Sequence, residues 1–167
     1  MSAYQGLTFF VALVLVPSVA MADAPPSLPA THEISSANQA IQVISSPDEG
    51  THILERVSQQ ELWSMPGWFR SLFVSNDGDY LVLGYDGISL IPQDYTDDLV
   101  LLTFLHRGKV LRKVTLKDIV PDPSILLRTV SHYQWGCIEG INSNGEFVVH
   151  RVDGTVFSFD LSTGLSK

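Results

Sequence analysis

The strongest constraint on this chain is internal repetition. The passage Val74-Ser-Asn-Asp-Gly-Asp-Tyr-Leu-Val-Leu-Gly-Tyr-Asp-Gly-Ile-Ser-Leu90 returns without a gap as Ile141-Asn-Ser-Asn-Gly-Glu-Phe-Val-Val-His-Arg-Val-Asp-Gly-Thr-Val-Phe157. Gly78/Gly145, Val82/Val149, Asp86/Asp153 and Gly87/Gly154 are identical, and Val74/Ile141, Asp79/Glu146, Tyr80/Phe147 and Leu81/Val148 match in chemistry. Each copy must therefore be one supersecondary unit that buries a face against a neighbour. Asn76-Asp77-Gly78 and Asp86-Gly87 are hairpin-turn sequences, and the residues between them alternate and are rich in β-branched and aromatic side chains. The unit reads as strand, turn, strand, turn, strand, with one register in both copies, because a slip of one residue would turn every core side chain outward.

The fold class expected is all-β: antiparallel blade-like β-meanders packed as a partial propeller or sandwich, with one short helix between the two repeats. The helix is placed at Asp122-Pro123-Ser-Ile-Leu-Leu-Arg-Thr129, where an Asp can cap and a Pro can open the first turn. Upstream, Ala40–Ser45 and Thr51–Trp63 read as a short hairpin. Trp68–Val74 opens the first unit, and the apolar Leu99–Leu105 is a central strand buried on both faces, paired with Val110–Leu116. The organisation is residues 1–22 as a signal peptide, 23–32 as an extended Pro-rich lead-in that buries nothing, and 33–167 as one β domain holding units 68–117 and 133–164.

Export is read from the N-terminus. The apolar run Leu7–Val16, Pro17 and the small-x-small Ala20-Met21-Ala22 are the parts of a secretory signal peptide cleaved after Ala22. The run falls short of the roughly 20 residues that span a bilayer, so no stable membrane anchor is expected after cleavage. The localisation expected is periplasmic or secreted. Cys137 is the only cysteine, so no disulfide can form within the chain. Tyr133, Trp135, Cys137 and Ile141 lie at even spacing, which places them on one strand face and makes Cys137 a buried, inert thiol. The formal charge of −8 excludes the basic footprint that nucleic acid demands. Charge is also segregated: Asp77, Asp79, Asp86, Asp94, Asp97 and Asp98 precede Arg107, Lys109, Arg112, Lys113 and Lys117. The second group reads as an edge strand dressed with cations.

The pattern hydrophobic-x-x-(Asp/Asn)-Gly-acidic-aromatic-hydrophobic-Val, then Asp-Gly, then Val156-Phe-Ser-Phe-Asp-Leu-Ser-Thr-Gly164, resembles the strands of WD40-like or YVTN-like β-propeller blades in exported bacterial proteins. The resemblance covers Trp68 to Gly164. A closed propeller takes about four to eight blades. This chain has two clear units and a degenerate one at Ile41–Trp63, and it lacks the Gly-His and Trp-Asp dipeptides of true WD40 repeats. No binding residue of that family can be assigned here.

The sequence holds no Gly-x-Ser-x-Gly, no His-Glu-x-x-His and no phosphate-cradling glycine loop. Asn76–Asp79 lacks the ligand spacing of a calcium loop and reads as a hairpin turn. His32, His52, His106, His132 and His150 are dispersed, so no metal and no cofactor are expected, and His150 reads as a solvent-face strand residue. One segment stands apart: Ser131, His132, Tyr133 and Trp135 bring a hydroxyl, an imidazole and two amphipathic rings together where a loop becomes a strand. As a binding site, its two rings would stack on a ligand or partner and His132 would add a polar contact; the other reading makes Tyr133 and Trp135 core rings, with Ser131 and His132 hydrogen-bonding the turn. The function expected is an exported, non-enzymatic binding or protein-interaction module, its protein partner or small ligand unnamed. The alternative is a small exported hydrolase or lyase using His132 with Asp94, Asp97 or Asp98. A third reading is a homo-oligomer in which several chains complete a ring.

Overall fold

The computed structural model describes residues 27–167; the expected signal peptide and the start of the lead-in lie outside the described residues. The chain is all-β, as expected. The first sheet is a four-stranded antiparallel meander of β1 (His32–Ser35), β2 (Ile41–Ser46), β3 (Gly50–Glu55) and β4 (Glu61–Met65). The expected hairpin is thus part of a full sheet, and regular structure begins at His32. Residues 27–31 are exposed, yet they are fastened: Arg70 donates to Ser27 Oγ at 2.9 Å and to the Ser27 carbonyl at 2.7 Å, and the Trp68 indole N–H donates to the Ala30 carbonyl at 2.8 Å.

Next come β5 (Leu72–Val74), β6 (Tyr80–Gly84), β7 (Leu90–Pro92), β8 (Val100–His106) and β9 (Lys109–Thr115). The central sheet has the order β5-β6-β8-β9. The expected strand Trp68–Val74 pairs only over its last three residues, while Trp68 and Arg70 fasten residues 27–31. After β9, Thr115 and Asp118 cap each other in a capping box that starts the four-residue helix α1 (Leu116–Ile119). A 3₁₀ turn at Pro123–Ile125 follows, with Asp122 accepting from the Ser124 amide at 3.0 Å, the arrangement expected of that Asp-Pro pair. The remaining strands are β10 (Leu127–Arg128), β11 (His132–Gln134), β12 (Gly136–Ile141), β13 (Glu146–Arg151) and β14 (Val156–Asp160). They complete a small sheet β10-β11-β7 and a C-terminal sheet β12-β13-β14.

The central sheet is buried on both faces, which explains why β8 is almost wholly apolar. Leu72, Val74, Leu81 and Leu105 meet Ile41, Val43 and Ile53 of the first sheet. On the other face, Val82, Leu102, Phe104 and Val114 meet Phe147, Val149 and Phe159 of the C-terminal sheet, with Ile91 and Trp135 in the same cluster. Three sheets are stacked face to face, each contributing side chains worth roughly 1.5–3 kcal/mol apiece when buried.

The two copies of the repeat share their first turn and then diverge. Gly78 and Gly145 hold φ of 78° and 76°, and their amides donate to Ser75 and Asn142. The first hairpin closes from the Ser75 amide to the Tyr80 carbonyl, whereas the second closes from Asn142 to Glu146, one residue tighter. Register therefore differs by one residue, and a bulge between Ile138 and Gly140 in β12 shifts it again. Beyond the second turn the copies separate. In the C-terminal sheet, β13 turns through Gly154 (φ 86°) and pairs with β14. In the first copy the chain leaves the sheet. β7 joins β11 instead, and β6 pairs with β8. At Gly87 a Cβ would lie 2.4 Å from the Leu90 carbonyl, and the left-handed residue is Ile88.

Candidate binding surface

Ser131, His132 and Tyr133 sit in the small sheet. Thr129 and His132 lock the turn: the Thr129 amide donates to the His132 carbonyl at 2.9 Å, and the His132 amide donates to Thr129 Oγ1 at 3.0 Å. Val130 and Ser131 are left at its tip. Strand β11 then pairs His132 with Pro92, Tyr133 with Ile91 and Gln134 with Leu90. Alternation puts Tyr133 on the side of the buried Ile91, where it meets Tyr95 edge-on with centroids 5.9 Å apart. His132 and Gln134 take the other face with Leu90 and Pro92, and Leu127 of β10 lies opposite Gln134. Ser131 Oγ and His132 Nδ1 are 2.8 Å apart.

Trp135 belongs to the core, which corrects its role as a stacking residue and agrees with the alternative reading of it as a core ring. Its side chain is fully buried, and its indole N–H donates to the Ile88 carbonyl at 2.9 Å. Its backbone bridges two sheets, donating to the Ser89 carbonyl at 3.1 Å and accepting from the Val152 amide at 3.2 Å. Cys137 is exposed, so its expected burial is also corrected. One cause explains both. Strand β11 ends at Gln134 and β12 begins in a different sheet at Gly136, where any Cβ would lie 2.2 Å from the His150 carbonyl. The chain changes sheet at this point, so even spacing no longer means a shared face.

The indole of Trp135 secures an unusual turn. Ile88 has φ of 58°, a left-handed conformation that costs an L residue about 1–2 kcal/mol and is an outlier for a β-branched one. Its side chain is 51% exposed, so core packing does not explain the choice of isoleucine. In the same small sheet and its turns, Leu127 is 53% exposed and Val130 70%. The strained backbone thus sits at an exposed apolar residue whose carbonyl is held by the Trp135 indole. Sequence reasoning missed Ile88 because Asp86-Gly87 looks like any other tight turn. Val130, an aliphatic residue set between Thr129 and Ser131, was the one local signal available.

The acids proposed as partners of His132 are engaged elsewhere or face solvent. Asp97 lies 3.9 Å from Lys117, Asp98 accepts from Thr96, and Asp94 is exposed. Asp77 accepts from the Asp79 amide at 3.0 Å and from Ser75, which is hairpin-turn chemistry rather than calcium ligation. No group of three or more His, Cys, Asp or Glu side chains suited to a metal ion occurs among the described residues.

A groove of about 190 Å³ is lined by Ser27, Leu28, Thr31, His32, Trp68 and Arg70. Arg70 lies 5.0 Å over the Trp68 ring, and His32 meets the same ring edge-on at 5.7 Å. Arg70 also reaches Asp86 at 3.2 Å. These contacts make the groove a clamp for the segment leading into β1, with the Trp68 and Arg70 donors used and the buried His32 Nε2 without a hydrogen-bond partner among the described residues.

The outward faces of the two end sheets carry polar pairs. His52 and Glu61 are 2.7 Å apart on the first sheet, and His150 and Glu139 are 2.6 Å apart on the C-terminal sheet. Hydrogen bonding to Glu61 raises the His52 pKa above its ordinary value. On the C-terminal sheet Glu146 is held down to about 2 by Lys167 at 2.6 Å, with Asn142 and Ser158 also donating to it.

No protein-family model matches this chain, and no curated protein matches it in sequence.

Proposed function

We propose that this chain is an exported, non-enzymatic binding module whose recognition surface is the small sheet β10-β11-β7 with its turns. The observation that carries this reading is Ile88: an exposed isoleucine kept in a left-handed turn by the buried indole of Trp135. A sequence selected for stability alone would place Gly or Asn there. Leu127, opposite Gln134 at the Ile88 end, and Val130, in the turn at the other end beside Gln93, are the exposed aliphatic residues of the sheet, and Ser131 and His132 supply polar contacts beside Val130. Trp135 is the rigid anchor beneath the Ile88 turn.

The blade-like architecture is part of the proposal. Three stacked antiparallel sheets resemble consecutive propeller blades, and the polar pairs on both end faces support a stack complete in itself. A ring closed by further copies would have to bury His52–Glu61 and His150–Glu139, and desolvating such pairs is costly. Export rests on Leu7–Val16 and Ala20-Met21-Ala22. Among the described residues no helix is long and apolar enough to cross a membrane. Intact-mass spectrometry of protein recovered from the cell envelope or medium should give a chain starting at Asp23, and a full-length chain in the membrane fraction would refute export.

The binding surface is tested by placing a photo-crosslinking amino acid at Val130 or Leu127, with exposed Val57 as the control. Discrete adducts at the first two and none at Val57 support the reading. Equal labelling at all three positions counts against it.

A further inference from the structure

We infer that β9 is a strand-addition site for an extended acidic polypeptide segment. The inference concerns a different sheet from the surface just described. β9 is the last strand of the central sheet, and its first five residues are exposed. Two of them are aliphatic, Val110 at 56% and Leu111 at 41% exposure, and the other three are Lys109, Arg112 and Lys113. Elsewhere, Arg70, Arg107, Lys117, Arg151 and Lys167 each lie within 4 Å of a carboxylate, and Arg56 and Arg128 are isolated cations with no ion pair among the described residues. The three on β9 are in no ion pair among the described residues, although the chain carries 18 acidic residues against 10 basic ones. An otherwise acidic protein therefore concentrates unpaired positive charge along one open sheet edge.

Register gives this edge two distinct faces. Lys109 lies opposite His106 and Arg112 opposite Phe104, so both project on the face of the C-terminal sheet. Val110 lies opposite Leu105 and Lys113 opposite Thr103, on the face of the first sheet. An added strand with alternating acidic and apolar residues would set its carboxylates against Lys109 and Arg112 and an aliphatic residue against Val110. The bulge at Leu111 and the flanking cations are devices that protect an edge from indiscriminate pairing. Here they also fix the sign of an acceptable partner. A second copy pairing through its own β9 would bring like charges together, which is destabilising for directly opposed residues. A strand of opposite charge gains backbone hydrogen bonds and charge complementarity together, the mode of recognition known from other exposed sheet edges.

The test uses the full mature protein and a blocked, fluorescent hexapeptide of alternating glutamate and valine, with a lysine–valine hexapeptide as control. The inference predicts saturable binding of the acidic peptide only, weakened at least tenfold by the double variant Lys109→Glu/Arg112→Glu. It also predicts slowed amide hydrogen exchange along 109–115 in the complex. Both substitutions are at exposed positions, and an unchanged thermal midpoint shows that the variant is folded. Three results would overturn it: no binding, which leaves the cations as edge protection alone; binding with unchanged exchange at β9, which is surface adsorption; or equal affinity for phosphatidylglycerol vesicles, which makes the edge a general anion surface.

Discussion

Ile88 gives the most direct test at the scale of single residues. Because an L residue at φ of 58° is strained, Ile88→Gly should stabilise the fold by about 1 kcal/mol, the relief of a left-handed conformation less the entropy of an added glycine. The same substitution should weaken partner binding, since it deletes exposed apolar surface. Urea denaturation measures the first effect; a less stable variant would show that the turn is not strained. Trp135→Ala should cost roughly 3–5 kcal/mol, as expected for emptying a core aromatic site. Cys137 should react with a maleimide in the native protein without denaturant. The strained Ile88 and the exposed Cys137 do not follow from the local sequence, whereas a core role for Trp135 is one of its two readings. Even spacing grouped Trp135 with Cys137, and only the change of sheet between Gln134 and Gly136 separates them. By contrast, His150 was legible as a solvent-face residue, because its strand stays in one sheet throughout.

Elements show a similar division. The all-β class, the doubly buried β8, the cationic edge β9 and the Asp122 cap all follow from periodicity and turn chemistry, and all are present. What the repeat concealed is that similar sequences close different hairpins, since both their surroundings and the side chains bonding across the turn (Ser75 and Asn142) differ. Gly78 lies against the first sheet, where a Cβ would meet Leu62 at 2.8 Å and Ile41 at 3.2 Å, whereas a Cβ at Gly145 meets nothing within 4 Å. Both have positive φ, so Gly145→Ala should cost about 1 kcal/mol from backbone strain alone. Gly78→Ala should cost clearly more, because the collision adds to the strain. Equal losses for the two variants in chemical denaturation would contradict the stacking of the first sheet on the central one. α1 was not foreseen either, because Val110–Leu116 alternates like a strand until the Thr115–Asp118 capping box ends it.

The whole molecule is a stack of three sheets with a small sheet beside it that begins at the strained Ile88 turn. Its electrostatics give a pH signature. Glu146 is held down to about 2, below the 4.5 of a free glutamate, so its ion pair with Lys167 stabilises the fold above about pH 4.5 and is lost as pH falls towards 2. His52 is raised above 6.5, so its pairing with Glu61 stabilises the fold below that value and is lost as pH rises past it. Thermal midpoints recorded against pH should therefore fall less steeply below pH 4.5 in Glu146→Gln than in the unaltered chain. An unchanged acid limb would remove Glu146 from the account. The central claim, that the small sheet is a recognition surface held by a buried anchor, is tested most directly by crosslinking in the native cell envelope from a photoreactive residue at Val130, with and without His132→Ala and Ile88→Gly. The account predicts one discrete partner adduct from Val130, its loss in both variants, and thermal midpoints that hold for His132→Ala and rise for Ile88→Gly. An adduct that persists unchanged in both variants, or that forms equally from Val57, would contradict it.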